Sequence, residues 1–358
     1  MRRSLVSRGS ASLGGRRKPS LADAPTIAIV GCGAIAESFY LPAIARYPDV
    51  VERLVLVDSS EMRARRLASK FSVRTYCYDY REVLDHVDGA IVAVPHALHY
   101  SISMDFLTRG VHVLCEKPLA VSASEAREMV AQAGESGATL CVNNTRRLFP
   151  AYGKVRELLS DGTIGRPLSI KYVEGHDFSW PSASGFRFNA RASRRGVLLD
   201  TGAHVLDAIC WWLGEKPELV SCENDSFGGS EAVTSVKFEH NKCCGEVKLS
   251  WLSKLQNSYR IVGTLGIIES SIDDWQTVTV ISSSGVERRI GLKAKERHYN
   301  DFAHRIVENY LDVVSKGRKP LVPASDVIAS IELIEECYKA ATRMHMPWYD
   351  ILEVPRGS

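Results

Sequence analysis

The chain has 358 residues, 45% of them hydrophobic and 24% charged, with a formal net charge of +3; this is the composition of a globular protein with room for two domains. No apolar run reaches the length of a membrane span. Charge argues against nucleic-acid binding by the folded body, because Arg2, Arg3, Arg8, Arg16, Arg17 and Lys18 against Asp23 give the first 25 residues +5 and leave −2 for the rest.

The nine cysteines are scattered and form no Cys-x-x-Cys pair. That pattern points away from structural disulfides and a zinc site, and toward a reducing, cytoplasmic setting. Residues 1–24 are rich in Ser, Gly and Arg and are predicted to be a disordered basic tail. Its paired arginines resemble a twin-arginine export signal, but no apolar stretch follows them, and its composition also fits a transit peptide. Val354–Pro355–Arg356–Gly357–Ser358 resembles a protease-site remnant and is left out of the fold.

Thr26–Val30 is an apolar, β-branched run and reads as a buried strand. The chain then turns through Gly31 and Gly33 and enters a helix at Ala34. Gly31–Cys32–Gly33–Ala34–Ile35–Ala36 has the form G-x-G-x-x-A, a dinucleotide fingerprint. Gly31 permits the tight turn, Gly33 lets a pyrophosphate approach the backbone, and Ala36 is small enough for the helix to pack on the strand. The same residues would also serve an ordinary strand–helix turn. A second strand, Leu54–Val57, ends at Asp58, whose carboxylate can accept hydrogen bonds from the adenosine ribose and would repel a 2′-phosphate. Asp58 therefore favours NAD over NADP, with Arg63 the residue to set against it. Asp58 is also a candidate N-cap for a helix over 61–70.

Strand and helix signals keep alternating: strands at 73–75, 89–94, 111–115 and 139–142, helices at 97–109 and 122–135. Ser122 with Glu125 forms a capping-box signature. Continuous apolar strands alternating with helices predict a parallel, doubly wound α/β sheet over 25–145, with ligands at the carboxyl ends of its strands. The pattern then changes. A helix at 150–160, a strand at 167–174, a long loop at 176–196 and a helix at 197–213 precede seven consecutive strands: 219–224, 232–240, 245–252, 258–263, 266–270, 276–282 and 286–292. These predict a second, α+β domain over 146–352 built on a large open, mostly antiparallel sheet. Helices at 298–315 and 323–344 close it.

Two further constellations carry chemistry. Glu116–Lys117–Pro118 follows the fifth strand and places a lysine at a strand tip, where proline restricts the backbone. Asp200 and His204 are i and i+4 on one helix face and can present a base and its orienter to one hydroxyl. Either pattern also occurs without function, as a solvated turn or as a helix cap beside a packed histidine.

Taken together, the fingerprint, Glu116–Lys117–Pro118 and Asp200–Thr201–Gly202–Ala203–His204 resemble, in order and spacing, the Gfo/Idh/MocA oxidoreductases, the glucose–fructose oxidoreductase and inositol dehydrogenase group. The resemblance runs from about Thr26 to Met344. It implies a Rossmann domain, a C-terminal α/β domain with a large open sheet, and oligomerisation through that sheet as a homodimer or homotetramer. It also implies that Lys117, Asp200 and His204 face the substrate. Pro95, His96, His99 and Glu116 would lie along the cofactor, although the family often has Asn where His96 stands. Arg147 resembles the family's arginine ahead of a proline-started helix, near substrate.

The chemistry expected of these parts is hydride transfer between NAD and a secondary hydroxyl or ketone of a sugar, cyclitol or nucleotide-sugar. His204 would take the proton near neutral pH. Asp200 would orient its ring or bind a neighbouring hydroxyl, and Lys117 would stabilise the alkoxide and relay a proton. No metal is required, and neither a membrane nor nucleic acid is an expected partner. His176, Trp180, Arg187 and Asn189 of the long loop are candidate substrate contacts. Two alternatives are an NAD-dependent glycosidase or epimerase that returns the hydride, and a non-enzymatic NAD-binding sensor. The intact Lys117, Asp200 and His204 argue against the sensor.

Overall fold

The computed structural model describes residues 24–179, 195–226 and 229–345. The basic tail up to residue 23, Trp180, Arg187, Asn189 and the residues from 346 onward lie outside the described residues.

The first layer is a six-stranded, all-parallel sheet in the order β3-β2-β1-β4-β5-β6. Its strands are β1 (Ile27–Val30), β2 (Val55–Val57), β3 (Thr75–Cys77), β4 (Gly89–Val92), β5 (His112–Glu116) and β6 (Leu140–Asn143). Both central strands, β1 and β4, are buried along their whole length, as expected of a parallel sheet covered by helices on both faces. The fingerprint helix starts at Ala34, passes through a π-helical stretch Ala36–Tyr40 and continues as α1 (Leu41–Ile44). Next come α2 (Pro48–Arg53), α3 (Glu61–Phe71), α4 (His99–Leu107) and α5 (Ala123–Ser136).

The second layer is a nine-stranded mixed sheet in the order β14-β13-β12-β11-β7-β10-β9-β8-β15. After α6 (Pro150–Ser160), β7 (Pro167–Gly175) and α7 (Val197–Leu213), the chain runs through β8 (Glu218–Asn224), β9 (Val233–His240), β10 (Cys243–Ser250), β11 (Ser258–Gly263), β12 (Gly266–Ser271), β13 (Thr277–Ser282) and β14 (Glu287–Gly291). The chain ends in α8 (Ala303–Lys316), α9 (Ile328–Ala340) and β15 (Thr342–Arg343). β7 pairs parallel with β10, and β15 parallel with β8; the other pairings are antiparallel.

Several expectations need correction. The third strand sits two residues later than predicted. Ser60, not Asp58, caps α3, its hydroxyl accepting from the Arg63 N–H at 3.4 Å. Ser122 caps α5 through the Glu125 N–H, but Glu125 Oε2 has no partner, so only half of the capping box forms. The last helix stops at Ala340, because Thr342 and Arg343 extend alongside Glu223 and Asn224 and add a strand to that edge. Lastly, α8 does not close the second layer. It returns to the parallel sheet, where Tyr310 Oη lies within hydrogen-bond distance of the Ala90 and His112 carbonyls.

Candidate active site

A crevice of about 1210 Å³ opens at the carboxyl ends of the parallel strands and extends over the second layer. Strand tips supply one wall, from Gly31 after β1, Asp58 after β2, Pro95 and His96 after β4, Glu116 and Lys117 at the end of β5, and Asn143 at the end of β6. Gly31 has φ +103°, and a Cβ there would lie 2.3 Å from the Ala93 carbonyl oxygen, so the turn admits only glycine. At Gly33 a Cβ would meet no protein atom within 4 Å. The backbone at Gly33 is therefore open to the crevice. Ala34 and Ile35 line the same wall at the helix start, where the first-turn N–H groups favour an anion. Ala36 is fully buried beneath them against the sheet.

The Asp58 carboxylate is held by three groups. It accepts from the Cys32 N–H at 2.8 Å, from the Ser60 N–H at 2.8 Å, and from Arg63 Nη2 at 2.7 Å. Arg63, the residue set against Asp58, lines the crevice beside it with its guanidinium paired to the carboxylate.

Glu116 is buried, with its Oε1 accepting from Tyr40 Oη at 2.6 Å and from Asn143 Nδ2 at 2.7 Å. Burial pushes its carboxyl up against the pull of Tyr40, Asn143 and Lys117. Lys117 turns instead toward α7, where its Nζ donates to Asp200 Oδ1 at 2.6 Å and to the Asp200 carbonyl at 3.0 Å. This ion pair joins the two layers across the crevice. His204 lies one turn further along α7 and is 7% exposed. Its Nδ1 is 3.1 Å from Asn144 Oδ1, the residue after β6. Burial first, then the positive charges of Lys117 and Arg146, push the imidazole well below its ordinary 6.5, with Asp200 opposing them. The ring is therefore neutral at physiological pH, rather than poised near neutrality as its intrinsic chemistry suggested.

Two of the expected contacts sit elsewhere. His99 does not line the crevice. It is fully buried, with Nδ1 2.7 Å from the Pro118 carbonyl and Nε2 2.9 Å from the Val94 carbonyl, and it ties the β4 tip to the Lys117–Pro118 turn from behind. Arg147 is likewise turned away. Its guanidinium forms a two-pronged pair with Asp207 at 2.7 and 2.8 Å, donates to the Asp326 carbonyl at 2.8 Å and makes a longer contact with the Asp326 carboxylate at 3.3 Å. The neighbouring Arg146 faces the crevice instead, paired with Glu174 through two contacts of 2.6 Å and bonded to Tyr172 Oη at 2.9 Å. His176 does line the crevice, with Nε2 3.5 Å from Glu174 Oε1.

The sequence reading missed Arg146, Asn144 and an aromatic wall formed by Phe149, Trp251, Trp275 and Tyr299. Arg146 is adjacent to Arg147 and Asn144 directly follows β6, so proximity to a strand tip is an available signal. Trp251 and Trp275 carry no local motif at all.

The fold and the crevice define a class, a Rossmann-type parallel sheet with a glycine fingerprint at its strand tips, joined to a second, open-sheet layer. Comparison makes this specific. Residues 26–144 match the Gfo/Idh/MocA oxidoreductase family, NAD-binding Rossmann fold, and residues 152–269 match the C-terminal domain of the same family. The chain belongs to this family. Among its relatives is the trans-1,2-dihydrobenzene-1,2-diol dehydrogenase of Mus musculus, 29% identical over 323 residues that make up 87% of this chain and 95% of the mouse protein. Another is the 1,5-anhydro-D-fructose reductase of Ensifer adhaerens, 29% identical over 209 residues, or 57% of this chain and 62% of that protein. Two solved structures share the fold. Levoglucosan dehydrogenase with NADH and levoglucosan has a TM-score of 0.75 at 20% identity, covering 88% of this chain and 97% of its own. A 3-ketoreductase from Actinomadura kijaniata with NADP and TDP-benzene has a TM-score of 0.75 at 23% identity, covering 90% and 99%.

Proposed function

We propose that this oxidoreductase transfers a hydride between NAD(H) and a secondary hydroxyl or ketone on a hydroxylated ring, a sugar, cyclitol or related diol. The observation that carries the reading is the convergence of Lys117, Asp200 and His204 in the crevice that the glycine fingerprint also lines. The fit to a dinucleotide rests on the open space at Gly33 and on the Asp58 carboxylate at the β2 tip. Residues 25–145 would hold the cofactor, and residues 146–352 the substrate. Bound nicotinamide supplies the hydride acceptor or donor. His204, neutral and lining the crevice, takes the hydroxyl proton as the alcohol is oxidised. Lys117, fixed by Asp200, places its ammonium where an alkoxide develops. Reduction runs the same proton path backwards. The aromatic wall offers flat apolar surface to one face of a ring.

The preference for NAD rests on Asp58. A cytoplasmic setting is supported by nine unpaired cysteines, eight of them buried; among the described residues no helix is long and apolar enough to cross a membrane. Homodimer or homotetramer formation belongs to the same reading, as do a small-molecule partner and no nucleic-acid partner. The test is a panel of sugars, cyclitols and cyclic trans-diols with NAD and NADP, followed by the absorbance of the reduced nicotinamide. Turnover of a ring alcohol that disappears in Lys117→Ala supports the proposal. Cofactor binding without hydride transfer to any member of the panel, in either direction, would overturn it.

A further inference from the structure

The side chain expected to orient His204 is committed elsewhere. Asp200 gives Oδ1 and its carbonyl to Lys117 at 2.6 and 3.0 Å. The hydrogen-bond partner that the His204 ring does have comes from the other layer. Asn144 follows β6 immediately, is 3% exposed, and has its backbone N–H tied to the Val142 carbonyl at 3.0 Å. Its Oδ1 lies 3.1 Å from His204 Nδ1. Among the described residues, His204 Nε2 has no hydrogen-bond partner, and the residue lines the crevice.

We propose that Asn144 is a positioning residue for the proton-transfer step, its side-chain carbonyl holding His204 with a proton on Nδ1 so that Nε2 faces the substrate as proton acceptor. This rests on the assignment of His204 as the base made above. A neutral imidazole donates from one nitrogen and accepts at the other. With Nδ1–H donating to Oδ1, the lone pair on Nε2 is open. Oxidation then balances simply: the hydroxyl proton passes to Nε2, the carbon-bound hydrogen leaves with its electron pair to the nicotinamide, and the carbonyl forms. The imidazolium keeps its Nδ1–H bond to Asn144 throughout, so no ring movement is needed.

An amide in this place differs in kind from a carboxylate. It fixes the ring without adding a charge that would stabilise the imidazolium. The charged groups facing His204 are Lys117 from the β5 turn and Arg146 from the turn after β6, both of which disfavour protonation. Asp200 on the same helix favours it, but burial and the two cations together outweigh it. With a neutral partner at Nδ1, nothing offsets that balance. Asn144→Asp would place a negative charge against Nδ1 with almost no change in shape.

The test combines imidazole NMR on isotope-labelled histidine, with His204 assigned by His204→Gln, and the pH profile of alcohol oxidation. In the wild type, the His204 nitrogen shifts should report a neutral ring protonated on Nδ1; a neutral ring protonated on Nε2 overturns the proposal without any variant. In Asn144→Asp, the midpoint of the His204 titration should rise by about one to three pH units, the usual effect of an adjacent opposite charge. The acid limb of the oxidation rate should rise with it. Asn144→Leu should lower kcat about 10–100-fold with KM little changed, as loss of a histidine's supporting hydrogen bond does at metal sites. An unmoved titration in Asn144→Asp overturns the positioning role outright. A titration that moves while the acid limb stays put removes His204 from the proton step, and Asn144's part in it falls with that assignment.

Discussion

Replacing Arg63 by alanine separates two effects that the β2 tip combines. The Asp58 carboxylate is locked by the Cys32 and Ser60 N–H groups at 2.8 Å, whereas Arg63 is a long side chain, 29% exposed, that lines the crevice beside it. A 2′-phosphate on the adenosine ribose would bring negative charge against Asp58, and Arg63 is the cation there to compensate. Two unit charges about 4 Å apart interact by about 4 kcal/mol at an effective dielectric constant of about 20. Partial exposure and salt screening reduce this to about 1.4–2.8 kcal/mol, or roughly 10–100-fold in affinity. Arg63→Ala should therefore weaken NADPH binding roughly 10–100-fold while NADH changes by less than about threefold. Asp58→Ala should act in the opposite sense. It leaves Arg63 unopposed, tightens NADPH, and costs NADH about 0.5–1.5 kcal/mol for the lost ribose hydrogen bonding. Calorimetric titration of both cofactors against the wild type, each single variant and the double variant reads this directly. Raising the salt concentration should shrink the NADPH effects first. Wild-type protein that binds NADPH more tightly than NADH refutes the NAD preference. Equal losses for both cofactors in Arg63→Ala refute the electrostatic argument.

Other expectations follow from the same geometry. His204→Ala should cut turnover by about 10²–10⁴-fold, the usual worth of a general base, with NADH affinity unchanged; near wild-type turnover per folded molecule would remove His204 from the reaction. The imidazole sits well below 6.5, so the neutral base persists as pH falls through 6.5, and the oxidation rate measured against pH should fall only under more acidic conditions. Gly31→Ala should lower the melting temperature and abolish cofactor binding, because left-handed backbone alone costs a residue with a Cβ about 1–2 kcal/mol and the new Cβ meets the Ala93 carbonyl at 2.3 Å. Arg147→Ala should destabilise by about 3–5 kcal/mol in denaturant titrations, since it strands the buried Asp207 carboxylate. Turnover per folded molecule should survive that change, and a raised KM with intact stability would return Arg147 to the substrate.

The first layer was legible because each of its elements announces itself locally. An apolar run such as Ile27–Val30 can bury both faces only inside a parallel sheet, and a capped helix after it leaves little freedom in topology. The slip at β3 has a local cause. Val73 is buried and apolar but belongs to the turn, while the strand itself, Thr75–Cys77, is an edge with Thr75 exposed. In the second layer the individual strands were readable, but their order was not. β7 lies between β10 and β11, pairing Ser169 with both Cys244 and Val262, partners far away in sequence that no local signal brings together.

The site divides along the same line. Spacing placed Asp200 and His204 on one helix face, and both do line the crevice. Spacing is silent about what reaches that face from outside. Lys117 claims Asp200 across 83 residues of sequence, and Asn144 meets His204 across 60. Arg146 and Arg147 make the same point at the shortest range. They are adjacent on a single 3₁₀ turn, so their side chains leave in different directions. Which of them faces the crevice is decided by where Glu174 and Asp207 wait, one on β7 and the other on α7. A periodic pattern specifies which residues share a surface. The chemistry of each residue is then set by the charged partner that the other layer brings to it, and here that partner turned an expected substrate contact into a structural ion pair.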